Sequence, residues 1–476
     1  MKEAQVVLDY FTRLSAIPRG SGSCAAVADW LMAFAEERGL WAKRDKNHSV
    51  LIRKPAAAGY ETAPVTILQG HTDMVWQKEA ELAFDFEKEG LRLRWDGDWL
   101  TAEGTTLGAD NGIAVAMLLA VLAGDYPAPA LECIFTSDEE IGLLGARGMD
   151  LSSVQGRRLI NLDSEDEGIL TVGCCGGVRA DCCFPLHYED GEGLALTLTL
   201  SGLLGGHSGM EIHRGRANAN KLMGELLQGL REKLPLRLLE AEGGERDNVI
   251  ASCARYSVLL PAGAQAAADA YLDTVRERWK SVWGESEPQL SLTAQTQTLR
   301  RVPAVTPEDS RRVIAFLSQA PQGVQTMSAA LPDLVQTSLN LGVAQQTEKQ
   351  FRAGFCLRSS VTAEKYALLE RLRQLCEGLG GTVDTSGDYA AWEYREDSPL
   401  RRLAVEVFTR QYGEPPKLEV IHAGLECGVF CERLPGLDCI SLGPALEQVH
   451  SVRERLSWSS TQRVWAYLLE LLRSSR

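Results

Sequence analysis

Three features of the sequence predict an α/β protein with a mixed, mostly parallel central sheet flanked by helices, interrupted by an inserted α+β domain. Apolar strands alternate with helices in both flanks of the chain, as in largely parallel sheets covered on two faces. The apolar run Leu131 to Phe135 ends in three consecutive carboxylates, Asp138, Glu139 and Glu140, at the carboxyl end of a strand, where open α/β sheets bind ligands. The middle of the chain has another texture, with alternating strands and amphipathic helices. At 476 residues the chain exceeds one compact core and suits two domains. Residues 1–185 and 388–476 are expected to build the sheet domain, and residues 186–387 the insertion.

Helical apolar spacing covers residues 3–16 and 24–39, the second closed by Arg38-Gly39. Ser49 to Arg53 and Pro64 to Gln69 then read as strands, the latter running into Gly70-His71-Thr72-Asp73. After a polar interval with a turn at Asp96-Gly97-Asp98, Gly108-Ala109-Asp110-Asn111-Gly112 opens a buried helix, Ile113 to Leu122. Strand 131–136, a helix from about 140 and strand Arg158 to Leu162, ending in Asp163, follow. In the insertion, strands are expected at 194–201, 248–260 and 289–293, with helices at 217–231 and 264–281. Helices 307–318 and 363–378 and strands near 335–343, 351–358 and 381–386 echo them, so two ferredoxin-like halves are predicted. The α/β pattern resumes with helix 399–412, strands 417–421 and 438–442, and helix 458–473.

Composition narrows the function classes. A net charge of −15 with no basic run argues against nucleic acid, whose phosphates call for clustered Lys and Arg. The longest apolar run, Gly112 to Gly124, is too short to span a bilayer, and the acids in MKEAQVVLDYF spoil a signal peptide, so a cytoplasmic protein with no membrane partner is expected. Among twelve cysteines, Cys174-Cys175 and Cys182-Cys183 are adjacent pairs in apolar context, which predicts reduced core thiols rather than disulfides.

Five places share one pattern: His71 with Asp73, Asp110, the Glu139-Glu140 pair, Asp163 and His450 each follow an apolar strand or open a helix. Parallel strands would gather their carboxyl ends at one sheet edge. Adjacent ionised carboxylates need nearby positive charge, and two imidazoles among several carboxylates suit zinc, with manganese or cobalt as substitutes. A single His-x-Asp after a strand is more often structural; the joint occurrence reverses that expectation.

On the motifs GHTDMV (70–75), GADNGIA (108–114), TSDEEIG (136–142), INLDSE (160–165) and VHS (449–451), the chain resembles the co-catalytic zinc peptidases and deacylases, which include carnosinases, aminoacylases and bacterial dipeptidases. GGHSG (205–209), HAGLECG (422–428) and the large middle domain look most like the aminoacyl-histidine dipeptidase branch. The resemblance implies a zinc-peptidase-like domain carrying the insertion as a lid, with two divalent ions per chain. Asp110 would bridge them, His71 and Asp163 would complete one site, and Glu140 and His450 the other. Asp73 would hold the His71 imidazole, and Glu139 would be the general base. In the insertion, His207 would stabilise the oxyanion. Asn248 and Arg358 would bind the substrate's backbone and terminal carboxylate, and Gly424 would admit substrate close to the backbone. His48, His187 and His213 are expected in solvated turns, and His422 stays open between a structural and a substrate-side role.

The resemblance therefore implies a metallodipeptidase acting on unblocked dipeptides, Xaa-His among them. Asp at position 163 accompanies family members that accept a free α-amino group, whereas Glu is usual in carboxypeptidases and acylases. A deacylase or carboxypeptidase of the same family is the alternative, and a catalytically silent metal-binding scaffold is the reading from another class. Whether two chains pair as a homodimer stays open.

Overall fold

The structure, a computed structural model, describes residues 4–329, 331 and 333–476; residue 3, where the first helix is expected to begin, lies outside them. The chain divides into two compact units, one of Met1–Cys174, Trp392–Val420 and Leu425–Arg476, the other of Cys175–Ala391 and Ile421–Gly424.

In the first unit the strands Thr66–His71, Leu131–Thr136 and Asp438–Ser441 are buried at every position, and Arg158–Asn161 at all but its first. Both faces are covered, which is why these sequences read as continuous apolar runs rather than alternating ones. They lie side by side and parallel in the order 131–136, 66–71, 158–161, 438–441. Val50–Lys54 and Trp41–Arg44 extend one edge antiparallel, and Ile169–Cys174 and Lys417–Ile421 extend the other, for eight strands in all. From Thr66–His71 the chain moves first to the strand on one side and then to the strand on the other, so His71 ends the strand at which the winding reverses, the place where open α/β sheets bind ligands. The helix Ala109–Ala123 is buried on nearly every side, as its uninterrupted apolar sequence from Ile113 onward requires, and packs on that strand and on the helix Gln5–Ser15. The turn at Asp96-Gly97-Asp98 joins Leu93–Asp96 to Trp99–Ala102 within a small four-stranded sheet.

The helix expected from about 140 is shortened to Leu144–Gly148. Asp138, Gly142 and Leu143 have φ of 52°, 115° and 57°, a left-handed path that breaks a right-handed helix.

The second unit is built on one nine-stranded antiparallel sheet. Tyr188–Ser201, Arg237–Gly243, Ala254–Leu260 and Ser291–Val305, with helices Ala219–Arg231 and Gln265–Trp283, form a β-α-β-β-α-β unit whose strands lie in the order 4-1-3-2. That is the ferredoxin-like arrangement. Gly176–Pro185, Val335–Gln346, Gln350–Ser359 and Thr382–Tyr389, with helices Pro307–Gln319 and Thr362–Gly378, repeat it. The first strand of this second half precedes the whole first half in the chain, so one half is inserted within the other. Gly176–Pro185 thus belongs to this sheet, although the sequence places the crossing near 185. The halves join through Glu242–Gln345 and Gly243–Ala344 and share one apolar core, in which Phe316 lies 5.0 Å from Phe184 and 6.0 Å from Phe355 between ring centroids. The strand expected at 248–260 begins only at Ala254, because the preceding residues pair with the 206–208 turn: Ile250 donates to the Gly206 carbonyl at 2.8 Å and Ser208 to that of Asn248 at 2.9 Å.

All twelve cysteines are unpaired as disulfides, and nine are buried. Among the described residues no helix is long and apolar enough to cross a membrane.

Candidate active site

The parallel strands end at one level: His71 pairs in register with Thr136, and Gln69 with Asn161, which pairs with Ser441. That register delivers His71, the 137–140 loop and Asp163 to one edge. Asp110 arrives from the start of its helix and His450 from a loop where its own φ is 60°. His71 Nε2 lies 3.1 Å from Asp110 Oδ1 and 3.5 Å from Asp163 Oδ1. His450 Nε2 lies 3.0 Å from the other Asp110 oxygen and 2.9 Å from Glu140 Oε1. One carboxylate thus faces two imidazoles, each with its own second acid. Among the described residues neither ring pairs with Glu139.

Donor atoms of His71, Asp110 and Asp163 lie within 4.8 Å of one another, as do those of Asp110, Glu140 and His450. Ligand atoms about 2.0–2.2 Å from one ion are separated by no more than roughly 4.4 Å, so either triad can close on a cation with small adjustments. A third group, His71, Glu139 and Glu140, is equally compact. The electrostatics point the same way. Burial pushes the Asp163 carboxyl up to about 6 and Glu139 well above the usual carboxylate range. Against the burial that opposes its charge, Asp110 is held well below that range by its contacts with His450 and His71. His71 is likewise raised well above the ordinary imidazole value, its burial overcome by Asp163, Asp110 and Asp73. Buried acids so poorly compensated fit a site completed by divalent cations.

Buried residues lock these groups in place. Asn111 accepts the His71 amide at 3.1 Å and donates to the Leu162 carbonyl at 2.9 Å, joining the segments before and after Asp110 in space. His71 Nδ1 lies 3.1 Å from the Asp73 carbonyl oxygen and 3.4 Å from its carboxylate. The Asp73 carboxylate also accepts the amides of Glu139 at 3.0 Å and Glu140 at 3.3 Å and the Ser21 hydroxyl at 2.8 Å. Asp138 accepts the Gly22 amide at 2.6 Å, so it anchors the loop before the second helix. Beneath the edge, the fully buried Glu426 accepts from Gln69 at 2.5 Å and Thr136 at 2.6 Å, and burial raises its carboxyl to about 8. Gln69 accepts in turn from Asn161 at 2.6 Å. Glu426 stands in the HAGLECG stretch but carries no sequence signal that separates it from a surface helix acid.

The second unit holds its own cluster. His207 Nδ1 accepts the amides of Gly209 at 3.2 Å and Met210 at 3.0 Å, which leaves the ring proton on Nε2 as a donor. Burial and the nearby Arg358 lower its pKa, favouring the neutral ring. Asn248 is half-buried beside the same turn. Arg358 is 8% exposed, donates to the Tyr389 hydroxyl at 3.2 Å, and leaves Nε without a partner. His422 is buried, 2.7 Å from the Ser338 hydroxyl, its pKa pushed down to about 3 by burial and Arg358. A Cβ at Gly424 would lie 2.7 Å from the Tyr389 ring, so this glycine makes room for the tyrosine that contacts Arg358. His213 is exposed, and the exposed His187 pairs with Asp309 at 2.9 Å.

Known proteins are similar to this chain over nearly its full length. The cytosol non-specific dipeptidase of Escherichia coli (strain K12) is 36% identical over 475 residues, 98% of this chain and 97% of that protein. The crystal structure of aminoacylhistidine dipeptidase from Vibrio alginolyticus superposes with a TM-score of 0.93 at 35% identity, covering 99% of this chain and 98% of that one. Aminopeptidase PepT from Bacillus cereus shares the fold at a TM-score of 0.57 and 12% identity, over 99% and 98% of the two chains. The description of peptidase family M20/M25/M40 fits residues 67–474, and the chain is a member of that family.

Proposed function

We propose that the chain is a dinuclear metallodipeptidase that hydrolyses the peptide bond of unblocked dipeptides, Xaa-His among them. The carrying observation is the Asp110 carboxylate, whose two oxygens face His71 and His450. The two relatives above 30% identity, a cytosol non-specific dipeptidase and an aminoacylhistidine dipeptidase, support the substrate class. In this reading His71 and Asp163 would hold one ion, Glu140 and His450 the other, with Asp110 contributing to each. Zinc suits the mixed nitrogen and oxygen donors, with manganese and cobalt as substitutes. Such a pair supplies Lewis acidity toward water and toward the scissile carbonyl.

The chain's own residues do the rest. Glu139 takes the attacking water's proton on a carboxylate oxygen and returns it to the departing amine. Asp73 holds the His71 imidazole, a role its 3.4 Å contact supports, and accepts the backbone amides of Glu139 and Glu140. His207 donates through Nε2 to the developing oxyanion, a role its backbone-fixed tautomer supports. Arg358, whose Nε has no protein partner, takes the substrate's terminal carboxylate. Asn248 and Gly424 contact the substrate backbone. The twelve free thiols support a reducing, cytoplasmic setting.

With zinc or manganese added, the purified protein is expected to cleave alanyl-histidine and to leave N-acetyl amino acids intact; the opposite pattern would refute the dipeptidase reading. Glu139→Gln is expected to lower kcat by roughly 10²–10⁴ while elemental analysis still finds about two ions per chain. Surviving activity would remove Glu139 from the mechanism.

A further inference from the structure

Gly108, two residues before Asp110, is gripped by buried charge on both sides. Its carbonyl accepts from Arg19 Nη2 at 2.6 Å and its amide donates to Glu454 at 2.9 Å. Neither side chain meets water: Arg19 is 1% exposed and Glu454 2%. The Glu454 carboxylate also accepts the amides of Leu107 at 2.8 Å, Ala109 at 2.7 Å and Asp110 at 3.3 Å, so four consecutive amides close on one side chain. Arg19 donates through Nη1 to the carbonyls of Thr72 at 3.1 Å and Asp73 at 3.4 Å. One guanidinium therefore ties the turn after His71 to the turn before Asp110, and one carboxylate ties that second turn to the segment of His450.

The glycines of the 108–112 stretch record this approach. A Cβ would lie 2.5 Å from Arg19 Nη2 at Gly108 and 2.7 Å at Gly112, and Gly108 has a φ of 63°. Burying two charges is costly, and apolar side chains of similar volume would fill the space more cheaply. Their contacts go almost wholly to the backbone of the segments that carry donor atoms.

We propose that Arg19 and Glu454 are positioning residues for the metal centre, holding the backbone around His71, Asp110 and His450 so that the two Asp110 oxygens face the two imidazoles before any ion binds. The inference rests on the reading of the first unit's cluster as a two-metal site. A purely structural pair would lower thermal stability and leave ion affinity alone, and that difference is measurable.

Full-length Glu454→Gln and Arg19→Lys, stripped with a chelator, are titrated with zinc against a chromophoric chelator. Zinc affinity is expected to fall ten- to a hundredfold, as for other groups that orient metal ligands, with KM for alanyl-histidine at saturating zinc within about twofold of wild type. Wild-type affinity in variants that lose only metal-free thermal stability would overturn the inference. In the unaltered protein, hydrogen exchange is expected to show the amides of 107–110 protected without metal; exchange at open-loop rates until zinc is added would overturn it as well. Uptake of fewer than two ions by wild type would instead overturn the two-metal reading, and this inference with it.

Discussion

Lys365→Met removes a fully buried ammonium from the second unit and should be felt at Arg358. Lys365 Nζ donates to Asp388 Oδ1 at 2.6 Å and to the Tyr389 carbonyl at 2.7 Å, with 0% of its side chain exposed. Hydrogen bonds to a charged group contribute about 1.5–3 kcal/mol each, and breaking a fully buried pair costs about 3–5 kcal/mol. The Asp388 side chain is 42% exposed, so water re-solvates it, and methionine avoids the desolvation of an ammonium. A net loss of about 2 kcal/mol remains from the two hydrogen bonds that Lys365 makes to Asp388 and to the Tyr389 carbonyl, and corresponds to a Tm lower by about 4–8 °C for a unit of this size. Tyr389 carries the hydroxyl that Arg358 contacts. The variant should therefore raise KM for dipeptides more than it lowers kcat, with Arg358→Ala raising KM further. Differential scanning calorimetry and initial rates over a range of alanyl-histidine concentrations measure both effects. Unchanged Tm with unchanged KM would refute the chain of contacts from Lys365 through Tyr389 to Arg358.

Gly424→Ala places a Cβ 2.7 Å from the Tyr389 ring and is expected to destabilise by about 1–3 kcal/mol, read by denaturant unfolding; a neutral result would show that the ring yields freely. Asp309 is nearly buried, yet hydrogen bonds from the His187 amide and ring outweigh that burial and hold its carboxyl below the ordinary value. Its contribution is therefore present above about pH 4, the unfolded value, and is lost as pH falls through the lower folded value. The Tm gap between wild type and Asp309→Asn should shrink from pH 5 to pH 2, and a constant gap would contradict this. Removal of metal by chelation should lower the first unit's Tm, since a ligand at a thousand times its Kd contributes about 4 kcal/mol; an unchanged Tm would mean that the site binds no ion tightly.

Much of this was legible in the sequence because the sheet is covered on both faces. Thr66–His71 and Leu131–Thr136 read as strands from continuous apolarity, and the polar residues just beyond such runs could be placed at one edge without coordinates. Arg237–Gly243 escaped because RLLEAEG carries charge on a partly exposed strand and reads equally well as helix. Gly176–Pro185 escaped because its partners are Gln350–Ser359 and Thr382–Tyr389, far along the chain. Arg19 and Glu454 left no signal for the same reason, since their contacts to Gly108 span 89 and 346 residues. Asp138 has no role in the sequence reading; its positive φ and its bond to Gly22 show what it does instead. Of Asp73 and Gly424, no motif shows the contacts the structure gives them: the amides of Glu139 and Glu140 on one and the Tyr389 ring against the other.

The nesting of the two ferredoxin-like halves bears on how the chain emerges from the ribosome. Gly176–Pro185 is made early, yet both of its neighbours in the sheet lie beyond residue 349, so for about eight to thirty-five seconds of synthesis, at roughly 5–20 residues per second, it has no native partner. The strand pairs of 188–305 close on one another during that interval. The outer sheet waits longer still, because Asp438–Ser441 must enter beside Arg158–Asn161, made nearly three hundred residues before. Contacts of such long range slow folding and lengthen the exposure of apolar strand edges. The inner half is thus expected to be the first protease-resistant fragment on stalled nascent chains, and the sheet edge that carries the proposed metal ligands the last part of the protein to assemble.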